Sequence, residues 1–196
     1  MTKSKIILEK EQKKHTFQNN IVSLHNSNIY IVNMEYSTED IRRQDRCMDE
    51  ESSRQLLEEC EFAVLSMVDS DGMPYGIPVN FVFERPGHLY IHCAHEGRKL
   101  QCLAHHPRIS MCMVGYTHVL ASQFTTEYES VVLTGTARTA LSEEEKKHAL
   151  MLLVEKYSPD FRREGGTAIR RSIHRTEVIR IDIDKFSGKH KRKKRL

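Results

Sequence analysis

A chain of 196 residues, 39% of them hydrophobic, is long enough for one ordinary domain and short for two. It has no uncharged apolar run that could form a membrane helix and no secretory signal at its start, so we expect a cytoplasmic protein without a membrane partner. Its five cysteines are odd in number and form no CxxC pair, which argues against a disulfide framework, a zinc cluster or any other metal site.

The formal net charge of +3 is unevenly distributed. Residues 1–33 hold five lysines and two glutamates, and residues 185–196 hold seven lysines or arginines and no acid, so the segment between them is acidic. We expect residues 1–33 to be a poorly ordered extension, although an additional strand and a start codon placed ahead of Met34 are alternatives. We expect residues 34–189 to form the folded domain. Residues 190–196 then form a basic tail, solvated and without a specific nucleic-acid partner.

Local signals along the chain predict a mainly β domain. Asp49 and Ser142 are helix N-caps, and helices are predicted over residues 38–46, 50–60, 97–105 and 143–157. Six strands are predicted over residues 62–69, 74–84, 88–93, 108–116, 128–141 and 177–184. Pro74 and Pro78 cannot donate to a ladder and therefore mark an edge strand or a bulge. This order favours a small, mostly antiparallel barrel with peripheral helices over a doubly wound sheet.

The segment LYIHCAHEGRK (89–99) is the most informative in the chain. It predicts a strand that ends near Cys93 and a helix that begins near Gly97. Free N–H groups and the helix dipole favour an anion at such a start. Arg98 and Lys99 in the first turn oppose that dipole, and a bound dianionic phosphate would relieve the conflict. The alternative is a pair of solvated cations on a surface helix.

His92 and Cys93 each have a chemical and a structural interpretation. Beside a bound ring, His92 could hydrogen-bond a substrate or pass a proton near neutral pH, whereas alternatively it is a structural histidine. Cys93 could be a thiol with a lowered pKa next to a phosphate, whereas alternatively it is a small buried hydrophobic residue. The residue types alone leave both alternatives open.

The proline-interrupted strand GIPVNF (76–81) could contact the edge of a flat heterocycle. Its unpaired backbone groups would supply in-plane hydrogen bonds, and Asn80 could add a side-chain contact. No HExxH, GxSxG or DxDxDG motif occurs, and Gly165-Gly166 lacks the context of a nucleotide-binding loop. These absences argue against a hydrolase or a metalloprotease.

Residues 41–189 resemble the nitroimidazole-resistance branch of the pyridoxamine 5'-phosphate oxidase-like proteins. The matching stretches agree in order and spacing: RRQDR (42–46), PYGIPVNFVFE (74–84), LYIHCAHEGRKLQCL (89–103), HHPRISMCM (105–113), YESVVLTGTAR (128–138) and FSGK (186–189). The resemblance implies a six-stranded antiparallel split β-barrel with peripheral helices. It also implies a homodimer that holds FMN in each of two clefts between the protomers.

The resemblance further implies roles for individual residues. The edge of the isoalloxazine ring would be lined by Pro78, Val79, Asn80 and Phe81. The ribityl chain would lie over His92, Cys93 and Ala94. The phosphate would be bound by Arg98 and Lys99. The partner protomer would contribute Tyr128 and Ser130, and Lys189 is a further candidate for closing the site. Cys93 stands where the family often has Ser or Gly, which predicts weaker phosphate binding because a thiol is a poor donor.

The implied activity is that of a flavin-dependent reductase of small electron-poor acceptors, with His92 as its catalytic residue. FAD could replace FMN. A second hypothesis is a non-enzymatic flavin or haem carrier, for which His92 with His95 or His118 could supply axial ligands. A third, a pyridoxamine-phosphate oxidase, is disfavoured because the C-terminal segment RIDIDKFSGKHKRK contains no Trp or Tyr that would accompany a second phosphate site.

Overall fold

The computed structural model describes residues 22–25, 28–31 and 34–192. Contacts between residues divide the chain into two compact units, residues 1–33 and 34–196. In the first unit, strand β1 (Val22–His25) pairs antiparallel with strand β2 (Asn28–Ile31). An additional strand was one of the alternatives for residues 1–33, and the structure describes β1 and β2 in that segment.

The second unit is built on an eight-stranded sheet with helices at its periphery. Its strands are β3 (Glu35–Tyr36), β4 (Phe62–Val68), β5 (Pro74–Asn80), β6 (Val82–Glu84), β7 (His88–Ala94), β8 (Arg108–Leu120), β9 (Thr125–Arg138) and β10 (Thr176–Lys191). Its α-helices are α1 (Glu50–Glu59), α2 (Arg98–His105), α3 (Glu143–Tyr157) and α4 (Arg162–Ser172). Within the described residues, no helix is both long enough and apolar enough to cross a bilayer.

The sheet runs in the order β5-β4-β8-β9-β10-β7-β6 and is antiparallel along this path, while short β3 pairs parallel to β10. Strands β5 and β7, which lie far apart in this order, also contact each other, so the sheet curls without closing. Pro74 and Pro78 lie on β5, the edge strand, where a missing N–H donor costs no ladder bond. This open, curled antiparallel sheet confirms the predicted split-barrel fold class.

Hydrophobic side chains form two clusters on opposite sides of the sheet. The larger cluster fills the barrel and includes the fully buried Phe81, Met111 and Phe186. The smaller cluster lies outside the barrel, where α3 and α4 pack against the sheet through residues such as Leu153 and Ile169. Alternation along each strand therefore decides which residues face the interior and which face the helices.

Two elements differ from the sequence-based predictions near the ends of the second unit. The helix predicted over residues 38–46 is wrong, because only Gln44–Arg46 form a 3-10 turn. The side-chain amide of Gln44 donates to the carbonyls of Thr38 (2.8 Å) and Ile41 (2.7 Å), so these backbone groups are satisfied without helix. Strand β10 continues to Lys191, past the predicted end at residue 184 and into the segment expected to be a tail. A bulge between Ile183 and Lys185 shifts its alternation there.

Helix α4 was not predicted from the sequence. Its Gly165-Gly166 pair disfavours helix by about 1 kcal/mol per glycine, so propensity pointed to a loop. Tertiary packing explains Gly165, because a Cβ there would lie 2.6 Å from a methyl carbon of Val154 on α3. The glycine lets α4 approach α3 closely, and this packing outweighs the propensity.

Asp182 on β10 is the centre of a partly buried charge cluster. Its Oδ1 lies 3.1 Å from His88 Nδ1 and 2.9 Å from Arg180 Nε, and its Oδ2 contacts Arg138 Nε. Desolvation by burial would raise the pKa of Asp182. The adjacent His88 ring, the hydrogen bond from Arg138 and the charge of Arg180 outweigh that effect and hold the pKa well below its usual range. The ionised carboxylate therefore stabilises the folded state.

Asp182→Asn is expected to lower the free energy of unfolding near neutral pH by about 2 kcal/mol, because two arginines lose a half-buried partner. The folded-state pKa is depressed, so this stabilisation is present above the ordinary carboxyl pKa of about 4 and is lost as the pH falls below it. Urea unfolding at about pH 7 and about pH 3 should show a smaller difference between the two proteins in acid.

Asp184→Asn is the matched control on the same strand. Asp184 pairs with Arg108, but its side chain is 45% exposed. We therefore expect Asp184→Asn to lower the free energy of unfolding by less than about 1 kcal/mol. Equal losses in the two variants would contradict the central role of Asp182.

Candidate functional site

The connection between β7 and α2 leaves the start of the helix open. Gly97 is the N-cap with a φ of 137°, a backbone conformation that L side chains rarely adopt, and no side chain caps the helix. The first hydrogen bond within the helix runs from the Gln101 N–H to the Gly97 carbonyl at 3.2 Å. The N–H groups of the preceding turn therefore lack intrahelical acceptors, as the sequence predicted.

The two cations of this turn differ in their surroundings. Arg98 is paired with Asp69 at 3.1 Å and stacks over the Tyr75 ring with its guanidinium carbon 4.3 Å from the ring centroid. Lys99 is half-buried, and no acidic side chain among residues 34–192 forms an ion pair with it. Lys99 is therefore the cation that remains available to an anion at the start of α2.

His92 and Cys93 lie on opposite faces of β7. Cys93 faces the barrel interior, and burial raises the pKa of its thiol, an effect that exceeds the opposing charge of Lys99. The structure therefore favours the small hydrophobic residue over the reactive thiolate. His92 faces outward and is exposed, yet desolvation by its surroundings and the charge of Lys99 lower its pKa. Ala94, the last residue of β7, is exposed beside them.

The four residues from Pro78 to Phe81, at the end of β5 and directly after it, are not equally accessible. Pro78 and Asn80 are exposed, whereas Val79 and Phe81 point into the core with 9% and 0% exposure. The Tyr157 hydroxyl accepts a hydrogen bond from the Phe81 N–H at 3.0 Å and lies 2.7 Å from the Phe81 carbonyl oxygen. The backbone groups of Phe81, expected to be unpaired, are thus engaged by Tyr157 within this chain.

Tyr157 was missed by the sequence analysis because it lies 76 residues from Phe81 along the chain. Its hydroxyl oxygen also lies 2.7 Å from the carbonyl oxygen of Glu61, to which the Asn80 amide donates at 3.0 Å. Tyr157 therefore closes the break between β5 and β6. No local signal in the sequence indicates this contact.

The outer face of the barrel, opposite the interior on β4, β8 and β9, is apolar and exposed. Strand pairing aligns Pro78, Val64, Cys112 and Val132 in one row across four strands. Phe62 and Val114 enlarge this surface, which we call the outer apolar face. The buried cluster between the sheet and α3 and α4 contains none of these residues.

The remaining predicted site residues lie on β9 and β10. Ser130 pairs with Val114 on one side and with Lys189 on the other. Tyr128 precedes Ser130 by two residues and lies on the same face of β9. Three strand spacings separate β5 from β9, or about 14 Å. One chain therefore does not bring Ser130 and Asn80 together, and Tyr128 and Lys189 lie still farther along this face.

A pocket of about 400 Å³ opens between α3, α4 and the outward side of β5 and β7. We call it the helical pocket. His92 and Asn80 form one wall, and Leu150, Leu153, Tyr157 and Ile169 are among the residues that form the rest. Because α4 was not predicted, its contribution to this pocket could not be inferred from the sequence.

The other candidate histidines are placed differently. Nε2 of His95 lies 2.8 Å from the carbonyl oxygen of His174, and its Nδ1 lies 3.5 Å from Glu177. His118 stacks against Tyr116 on β8 with the ring centroids 6.4 Å apart. In the part of the chain that is described, no group of three or more His, Cys, Asp or Glu side chains could hold a metal ion.

Residues 49–190 match the family model described as pyridoxamine 5'-phosphate oxidase. This match covers more than half of the chain, and the open antiparallel barrel defines the protein as a split-barrel protein. The chain belongs to the pyridoxamine 5'-phosphate oxidase family. No curated protein sequence matches it.

Solved structures with the same fold share only a low sequence identity with the chain. A Bacteroides thetaiotaomicron protein named for 5-nitroimidazole antibiotic resistance is 20% identical with a TM-score of 0.62, covering 74% of this chain and 86% of its own. A flavocytochrome from Azotobacter vinelandii is 24% identical with a TM-score of 0.60, covering 76% and 70%. An FAD and haem binding protein from Mycobacterium smegmatis is 22% identical with a TM-score of 0.62, covering 74% and 72%.

Proposed function

We propose that two copies of this chain form a homodimer that binds FMN between the protomers and reduces small electron-poor acceptors. The observation that carries the proposal is the unpaired Lys99 at the uncapped start of α2, within a chain of the pyridoxamine 5'-phosphate oxidase family. The nitroimidazole-resistance and FAD-binding names of similar structures support a flavin and a nitroaromatic acceptor.

The donor set at the start of α2 fits the phosphate of a flavin nucleotide. The free N–H groups of the first turn and the Lys99 ammonium would bind the phosphate oxygens, and the helix dipole would favour their charge. Arg98 would contribute less, because Asp69 and Tyr75 already hold its guanidinium. Gly97 leaves the approach open, since a Cβ placed there would meet no atom within 4 Å.

The outer apolar face is the surface through which we propose the protomers associate. Exposed valines and a phenylalanine on this face favour burial against an equivalent surface. In such a dimer Tyr128, Ser130 and Lys189 of one protomer would reach the site of the other, which a single chain cannot achieve. Pro78 and Asn80 would then contact the flavin ring from the first protomer.

When bound, the flavin would supply the two-electron chemistry, and the protein would supply position and a proton-transfer group. His92 has a lowered pKa, so its imidazole is neutral at about pH 7. A neutral imidazole can donate one hydrogen bond and accept another, which allows His92 to orient an acceptor and move a proton at a ring nitrogen. Cys93 stays a partly buried, neutral thiol and takes no part.

The activity is tested with the purified protein, NADH or NADPH, and a nitroimidazole or a quinone. We expect acceptor-dependent oxidation of the nicotinamide, and we expect His92→Gln to lower turnover about a hundredfold while it keeps bound flavin. An FMN-loaded dimer that reduces neither class of acceptor would contradict the proposed reductase.

A non-enzymatic flavin or haem carrier is the second candidate. Two similar structures are a flavocytochrome and an FAD and haem binding protein, and His92 is exposed without a hydrogen bond to any other described residue. His95 is already engaged by His174 and Glu177, so a second ligand would have to come from elsewhere. The absorbance spectrum of purified protein separates haem from flavin directly.

A further inference from the structure

The helical pocket contains no side chain with a full charge. Of the twelve residues that line it, none is Asp, Glu, Lys or Arg, although such residues make up 29% of the chain. A charged ligand would lose part of its hydration there, and no residue that lines the pocket would offer it an opposite charge. The pocket therefore disfavours ions of either sign.

Most polar groups of the pocket are already satisfied. Ser172 Oγ donates to the Ala168 carbonyl at 2.9 Å, and Thr176 Oγ1 donates to the Ser172 carbonyl at 2.9 Å. The Tyr157 hydroxyl is hydrogen-bonded to the backbone of Phe81 and Glu61, next to the break between β5 and β6. The ring of His92, which also lines the pocket, makes no hydrogen bond to another described residue.

The opposite wall is formed by apolar side chains of α3 and α4. Leu150 and Leu153 are mostly buried in the cluster between these helices and the sheet, and Ile169 joins them from α4. A volume of about 400 Å³ lies in the range of sites for small molecules, roughly 300–1,000 Å³. A site with mostly apolar walls and an open imidazole selects a largely apolar molecule that carries a polar group.

We propose that the helical pocket binds an uncharged, largely apolar molecule that directs a polar group at His92, and that this molecule is the electron acceptor. Its role as acceptor rests on the proposed function, because His92 is shared with the flavin site. Its binding does not depend on that function. The pocket thereby excludes carboxylated and cationic analogues of the same size.

The test compares two nearly isosteric probes, uncharged 4-nitrobenzamide and anionic 4-nitrobenzoate, on the full chain as purified. Ala168 lines the pocket from α4 and is exposed, so Ala168→Phe should fill the pocket without disturbing the core. Ser158→Phe enters it from the end of α3. The matched control is Ala104→Phe, the same change at an exposed position of α2 away from the pocket.

Binding is measured by saturation-transfer NMR and calorimetry. We expect 4-nitrobenzamide to bind the wild-type protein and Ala104→Phe with equal affinity. We expect its affinity for both pocket variants to be at least about tenfold lower. We expect 4-nitrobenzoate to bind the wild-type protein at least about tenfold more weakly than the amide. Melting temperatures within the same range for all variants show that folding is retained.

Two outcomes would overturn the inference: equal affinity for the two probes, or amide binding that neither pocket variant weakens. Flavin content, measured by absorbance in the same samples, separates this inference from the proposed function. If the protein contains no flavin but the pocket variants weaken amide binding, the inference about the pocket is supported and the proposed reductase function is contradicted. If flavin is bound but neither pocket variant weakens amide binding, the inference about the pocket fails and the proposed flavin site stands.

Discussion

Lys99→Ala is expected to weaken flavin binding by about ten- to a hundredfold, which corresponds to the loss of one charge-assisted hydrogen bond of about 1.5–3 kcal/mol. The reason is structural: Lys99 is the cation of the α2 turn that no acid among residues 34–192 neutralises. The double variant Arg98→Ala/Lys99→Ala should purify without flavin. Flavin occupancy is measured from the ratio of flavin to protein absorbance.

Two controls distinguish the phosphate contact from a general effect of charge. Lys147→Ala removes an exposed lysine of α3 that pairs with Glu143 and should leave occupancy unchanged. Arg98→Ala alone should weaken binding less than Lys99→Ala, because Asp69 already holds that guanidinium. If both positive charges can be removed with no change in occupancy, the phosphate assignment is wrong.

Val132→Asp is expected to convert the proposed dimer into a monomer and to abolish flavin binding with it. Val132 lies in the row of the outer apolar face and is 44% exposed in the single chain. Burying an unpaired carboxylate costs several kcal/mol, so the dissociation constant of the dimer should rise by more than about a hundredfold. Light scattering coupled to size-exclusion chromatography measures the change.

Val132→Thr is the matched control, because it keeps the β-branched shape and the strand propensity and adds no charge. It should remain a dimer with bound flavin. A Val132→Asp protein that stays dimeric would show that the protomers associate through another surface. A monomer that keeps its flavin would show that the site is complete in one chain.

Local patterns in the sequence predicted most of the fold because alternation and caps act over few residues. Ile179, Ile181 and Ile183 alternate with polar residues in the sequence and are buried in β10. Asp49 and Ser142 cap α1 and α3 through the backbone N–H groups of Ser52 and Glu145. The bulge in β10 and the glycine pair of α4 were missed. In both, long-range packing overrides the local preference, through Phe186 in the core and Gly165 against Val154.

The candidate site was predictable only where its residues are neighbours in the chain. The turn from His92 to Lys99 is continuous in sequence, so its strand, glycine and helix start could be inferred together. The difference between Arg98 and Lys99 could not, because it depends on Asp69, 29 residues away. The engagement of Phe81 by Tyr157 and the helical pocket likewise depend on elements far apart in the chain.

The absorbance spectrum of the purified protein, combined with the mass of the co-purifying ligand and of the particle, tests the central claim most directly. The account predicts a flavin spectrum, the mass of FMN, and a particle of twice the chain's 22.8 kDa. A colourless monomer that does not take up added FMN would contradict it.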